Sequence, residues 1–253
     1  MPEPIYGFHH ICLEKNGLDV FVDQLQTLKT SGLYDASSTI FCSIVGKQTD
    51  IVLPKKYKVV YESRQSNMYE RPILQYMQKH ASTMHGKYWY IHTKGISHVG
   101  TAKEQNVRDW RKYMEYFIVQ KWATCVKDLD LYDIAGVNHE KDPFYHFSGN
   151  FWWANSSYIE TIQTELNYED YYETEYWLCS GKPSLIGISY HSSKVQHYEH
   201  RYTPEKYVNV EQIPVIFSPG LSEPMFANGY ESSQLQFESL PKRIIRKPVV
   251  SNN

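Results

Sequence analysis

The feature that most limits what this chain can fold into is an alternation, over its first 120 residues, of short apolar runs with segments of helical period. Residues 5–13 (IYGFHHICL), 39–45 (TIFCSIV), 57–61 (YKVVY) and 88–91 (YWYI) are rich in β-branched and aromatic side chains, which suits strands. Between them Leu18, Phe21, Val22, Leu25 and Leu28 recur at helical spacing until Gly32. Pro72 then opens a helix that runs to about Ala81 with Ile73, Leu74 and Met77 on one face. Strand and helix in that order predict an α/β domain: a mainly parallel central sheet flanked by helices on both faces. A chain of 253 residues, 42% hydrophobic and 21% charged, is long enough to bury such a sheet.

A further helix is predicted from Asn106, with Asp109 three residues on completing a capping box. Its buried stripe would be Val107, Trp110, Met114, Phe117, Ile118, Trp122 and Cys125. Strands are expected at 132–137 (YDIAGV) and 184–190 (SLIGISY). Periodicity fades from Ser218, so residues 218–253 are read as an extended C-terminal arm, wrapped on the domain or on a partner such as a second copy of the chain.

Charge and cysteine usage narrow the classes. A net charge of −2, with a basic cluster only at Lys242, Arg243, Arg246 and Lys247, argues against a nucleic-acid binder. Cys12, Cys42, Cys125 and Cys179 stand far apart without a CxxC pair and read as separate buried thiols in a reducing compartment. No leader pattern is visible, and no apolar run approaches the roughly 18 to 20 residues that span a bilayer. The expectation is a cytoplasmic chain without a transmembrane segment.

Three stretches carry the chemistry. YWYIHTKG (88–95) is a buried strand whose carboxyl end delivers His92, Thr93 and Lys94, followed by Gly95, where the backbone turns or approaches a ligand. In open α/β sheets ligands bind outside such ends. Arg111 falls at the start of the next helix and reads either as a phosphate or carboxylate clamp or as a structural ion pair. HFSGNFWWANSSYI (146–159) joins a small, donor-rich segment, Ser148, Gly149 and Asn150, to stacking surface. Alternation along a strand would send Trp152 and Trp153 to opposite faces, which leaves at most one as a sugar platform and puts the other in the core. In NYEDYYETEYWL (167–178), Glu169 and Asp170 read as a solvated face, whereas Glu175 precedes Tyr176 and Trp177, an apolar wall that would raise a carboxylate's proton affinity.

The set YERP (69–72), YIHTKG (90–95), DWRKYMEYF (109–117), HFSGNFWW (146–153) and EYW (175–177) resembles a group of glycosyltransferase-like domains, and more distantly is similar to the rhamnan synthesis protein F type. The resemblance spans residues 5 to 200. It implies a single GT-A-like domain over 1–217, with a nucleotide-sugar-binding half to about 105 and an acceptor half over 106–217. The implied function is transfer of a sugar from a nucleotide-sugar donor to a glycan hydroxyl. His92, Thr93, Lys94, Gly95 and Arg111 would then bind the donor, and Ser148, Gly149, Asn150, Trp152 and Trp153 the acceptor. The chain departs from the usual pattern by carrying HTK where many such enzymes hold a divalent metal with Asp-x-Asp. Asp128-Leu129-Asp130 fits the letters but reads as a solvated helix end.

Two ways of handling the diphosphate follow. Lys94 neutralises it directly, or His92 joins His191 and His197 around a divalent metal, Mn or Mg, with imidazole better suited to a transition metal. Transfer also needs a base for the attacking hydroxyl, for which Glu175 is first choice and Glu173 its competitor; one base and one displacement give inversion. The alternatives are an inactive glycan- or nucleotide-binding module of the same fold, and a histidine-metal hydrolase, for which no HExxH spacing exists.

Overall fold

The computed structural model describes residues 2–47, 51–166, 172–182, 184–220 and 225–226. The first half reads β1 (Ile5–Cys12), α1 (Gly17–Thr30), α2 (Leu33–Ala36), β2 (Thr39–Val45), β3 (Tyr57–Ser63), α3 (Arg71–Ala81) and β4 (Lys87–His92). Then come α4 (Glu104–Glu115), a π-helical turn (Tyr116–Gln120), α5 (Trp122–Asp128), β5 (Ile134–Gly136) and a small hairpin, β6 (His139–Glu140) with β7 (His146–Phe147). The rest is β8 (Trp152–Asn155), α6 (Ser156–Ile159), α7 (Glu173–Tyr176), β9 (Gly187–Ser189), β10 (Val215–Phe217) and β11 (Met225–Phe226).

Nine strands form one sheet in the order β11-β10-β9-β5-β8-β4-β1-β2-β3. The pairs β3–β2, β2–β1, β1–β4 and β5–β9 are parallel, while β8 runs against both β4 and β5 and β10 against β9 and β11. All strands except β8 and β10 therefore point one way, and the expected α/β sheet, mostly parallel, is present. Apolar side chains fill both faces. On one side α1 and α4 pack through Phe21, Leu28, Val107 and Trp110; on the other α3 and α6 pack through Ile73, Leu74, Met77 and Tyr158.

The chain first winds outward from β1 through α1 to β2 and then β3. It returns through α3, on the opposite face, to place β4 on the other flank of β1. The boundary between β1 and β4 is thus the switch point at which winding reverses, and the loops leaving these two strands part to leave a crevice.

Several local expectations are corrected. The capping box at Asn106–Asp109 does not form: α4 begins at Glu104, with Lys103 at its N-cap and no side-chain cap bond, while in the turn before it Thr101 Oγ1 accepts from Lys103 N and Glu104 Oε2 from Gly100 N. Asn106 instead donates to Tyr198 O and Asp109 binds Gln105 and Arg201. The helix is not continuous to Cys125, because the π-helical turn and a break at Lys121 separate α4 from α5. Strands β5 and β9 are three residues each, shorter than the apolar runs that contain them. Trp152 and Trp153 do take opposite faces, yet both are fully buried, since β8 is an inner strand covered on each side; neither is a sugar platform. Asp130 at the Asp-x-Asp letters is exposed and pairs with Lys87 at the amino end of β4, but Asp128 is buried. The four cysteines are free and buried. Glu169 and Asp170, the basic cluster at 242–247 and most of the C-terminal arm lie outside the described residues, of which none forms a helix long and apolar enough to cross a membrane.

Candidate functional site

A cleft of about 280 Å³ opens at the switch point, outside the carboxyl ends of β1 and β4. From β1 and the turn after it come His10, Cys12, Glu14 and Lys15; from β4 and its turn come His92, Thr93, Lys94 and Gly95; from the segment before α3 come Ser66, Tyr69 and Glu70. Strand direction explains who joins them. Because β8 is reversed and Trp152 pairs with Tyr90, the residues entering β8 arrive at the carboxyl end of β4. Gly149 and Asn150, both with positive φ (94° and 60°), form that entry.

His92 is the hub. Its Nε2 lies 3.1 Å from Gly149 O, a carbonyl that only accepts, so Nε2 carries the proton. Its Nδ1 faces Glu70 Oε1 at 3.4 Å. Burial, and then the Lys94 cation, push its pKa down to about 3, so the ring is neutral at physiological pH. Glu70 Oε2 accepts from Tyr90 Oη at 2.8 Å and from Asn150 Nδ2 at 2.6 Å. The amide of Asn150 is fixed the right way round, since its Oδ1 takes the indole proton of Trp152 at 2.8 Å and Nδ2 also donates to Thr174 O.

Lys94 places its ammonium 3.9 Å from the centroid of the Trp110 ring. Among the described residues no carboxylate lies within ion-pair distance of it. Burial lowers its pKa, with Glu175 and Glu70 acting in the opposite sense. A cation held on an aromatic face with its remaining donors unspent is what an anionic ligand needs. Thr93 is buried and takes the Cys12 N–H on Oγ1 at 2.9 Å, tying together the ends of β1 and β4. Gly95 turns at φ 100° beside Val107.

The remaining candidates take other positions. Arg111 does not line the cleft: it binds Asp23 Oδ2 at 3.0 Å, lies 3.3 Å from Glu115 Oε1 without hydrogen-bond alignment, and donates to Lys94 O at 3.2 Å. It therefore holds the lysine's backbone. Glu175 Oε1 accepts from Gly149 N at 2.6 Å and fixes the entry to β8 from behind. Glu173, on a helical turn rather than an extended segment, points elsewhere and pairs with Arg71. Ser148 donates its backbone N–H to Asn138 O, outside the cleft.

The histidine set does not converge. His191 Nδ1 lies 2.9 Å from Tyr113 Oη, whereas His197 Nε2 accepts from Asn138 Nδ2 at 2.9 Å and its ring stacks on Trp110. Both are buried, and no three His, Cys, Asp or Glu among the described residues are grouped to hold a metal with His92.

Sequence reasoning passed over Glu70, His10 and Lys15. Glu70 stands in the YERP motif quoted above, but nothing in the letters says that the segment before α3 folds back over β4. His10, two residues before the end of β1, is in register with His92 and bonded through Nδ1 to Ser43 Oγ at 2.8 Å. Lys15, with φ 49°, donates to Ser97 O at 2.9 Å and closes the rim.

Fold and site together define the class, an α/β protein with a polar cleft at the switch point of a mostly parallel sheet. Residues 9–209 match the family described as Domain of unknown function (DUF8361), and the chain belongs to that family. No curated protein and no solved structure gives a match.

Proposed function

We propose that this chain is a GT-A-like glycosyltransferase that moves a sugar from a nucleotide-sugar donor to a hydroxyl of a glycan acceptor. The observation that carries the reading is convergence: the five stretches of the resemblance, dispersed over more than 100 residues, all meet around one cleft. YERP supplies Glu70, YIHTKG supplies His92 to Gly95, DWR supplies Trp110 under Lys94 and Arg111 behind it, HFSGNFWW supplies Gly149 and Asn150, and EYW supplies Glu175. As the bond to the departing diphosphate breaks, negative charge grows on its oxygen, and a preorganised ammonium in a site of low dielectric lowers that barrier. Lys94 fills that role. The attacking hydroxyl must give up a proton, for which Glu70 and Glu175 are near and Glu173 is engaged with Arg71.

The test is calorimetric titration with UDP and GDP, followed by a panel of nucleotide sugars assayed for nucleotide release and transfer. Lys94→Ala is expected to weaken diphosphate binding at least tenfold, and Lys58→Ala, at an exposed position on β3, to leave it unchanged. Equal affinities in the two variants would remove the donor site from this cleft. Turnover retained in chelator supports Lys94 as the charge partner, whereas complete loss restored by Mn²⁺ would favour a metal bound elsewhere.

A further inference from the structure

The cleft contains a carboxylate whose two oxygens are differently employed. Oε2 of Glu70 takes two donors, from Tyr90 and from Asn150, an arrangement suited to an ionised carboxylate. Burial first, and then Glu70 itself, raises the Tyr90 phenol well above its ordinary range, so it stays a donor. Oε1 is left facing His92 Nδ1 at 3.4 Å, beyond the usual range of an N–H···O bond and with no hydrogen bond between them. With Nε2 committed to Gly149 O, Nδ1 presents a lone pair. Two lone pairs therefore confront each other across a gap at the wall of the cleft, and the Glu70 side chain, 16% exposed, is reachable from it. Such an arrangement is relieved when a proton enters the gap.

We propose that Glu70 and His92 together form the proton acceptor of this cleft, with Glu70 Oε1 receiving the proton of a ligand hydroxyl and His92 Nδ1 sharing it. The inference rests on the glycosyl-transfer reading. The acceptor hydroxyl gives its proton to Glu70 Oε1 while its oxygen lone pair bonds to the anomeric carbon. The bond from that carbon to the diphosphate oxygen breaks, and its electron pair leaves with the diphosphate beside Lys94. The charged groups around the pair favour this sequence. Lys94 and His10 face both members, and Glu175, Arg111 and His9 face His92, whose neutral ring keeps a lone pair on Nδ1 for the proton that substrate loses. Glu175, spent on Gly149 N, acts on the position of that loop.

Two measurements test the pair. In the nucleotide-sugar panel, Glu70→Gln is expected to lower kcat by about 10² to 10⁴, with UDP affinity unchanged and a smaller loss for Glu175→Gln. Near-normal turnover in Glu70→Gln, or a loss confined to Glu175→Gln, overturns the assignment. If the wild type turns over no sugar in the panel, the glycosyl-transfer reading fails by itself, and ¹⁵N spectra of histidine-labelled protein decide the pair separately. At pH 7 His92 should show a protonated Nε2 and a bare Nδ1, and Glu70→Gln, whose amide can donate, should move the Nδ1 resonance to a hydrogen-bonded value. A protonated Nδ1 in the wild type, or no change in the variant, overturns the proposal.

Discussion

One glycine decides where His92 points. Gly149 sits at φ 94°, and a Cβ there would run into Met114 Sδ and come within 2.9 Å of the Trp110 ring, so both backbone and space demand glycine. Gly149→Ala should lower unfolding stability by about 1–3 kcal/mol in urea titrations, since overpacking and a strained φ act together. The same variant should displace the carbonyl that holds His92 Nε2. Stability unchanged from wild type would mean that Met114 yields easily and that the loop is not fixed by packing. At this scale the sequence was legible in part. A strand ending in HTKG announced His92 to Gly95 because strand, polar tip and glycine are adjacent in the chain. Glu70 was silent because it reaches the cleft from another connection, and one sequence does not say which loop tips meet. Trp152 and Trp153 misled for a related reason: alternation gives opposite faces but not whether each face is covered.

Among the elements, α4 carries the most constraint. Arg111 on its second turn serves Asp23 of α1, the fully buried Glu115 and the carbonyl of Lys94. Burial pushes the Glu115 carboxyl up, while Lys112 and Arg111 favour its ionised form. Removing the guanidinium leaves a buried carboxylate short of one partner, for which the cost is about 3–5 kcal/mol. Arg111→Ala is therefore expected to shift the urea midpoint well down, and Arg111→Lys to recover only part of it, because one ammonium cannot reach three sites that a planar fork joins. A shift below about 1 kcal/mol, the scale of an exposed pair, would show that Lys112 alone suffices. The helix itself was predictable from its apolar stripe, whereas its start was misplaced: it begins at Glu104 without a side-chain cap, so the NVRD letters at 106–109 marked a cap where the chain was already helical.

For the whole molecule, buried histidines set the response to acid. Burial holds His9 and His92 down to about 3 and His10, His191 and His197 down to about 4. An unfolded histidine titrates near 6.5, so between that value and roughly 3 to 4 the unfolded chain binds more protons than the folded one. Their contribution is fully present above pH 6.5 and is lost as pH falls toward the folded values. Calorimetric Tm should accordingly be flat from pH 8 to 7 and decline steeply from 6 to 4, and His9→Gln should make that decline shallower. A Tm that rises on acidification through this window would show that these rings are charged in the fold. The parallel half of the sheet was legible because its strands are apolar runs, with helices between β1 and β2 and between β3 and β4. The second half was less so, since three-residue strands such as β5 and β9 are too short to show any period.

The indole of Trp110 has the Lys94 ammonium of the cleft on its ring and the His197 imidazole stacked at 4.9 Å. A positive charge so close to a chromophore shifts the energy of its excited state, and an anion that draws the ammonium away removes that shift. The cleft therefore has an optical gauge of its own occupancy: the emission of a single tryptophan, isolated by comparison with Trp110→Phe, should change colour as the site fills, with no label attached.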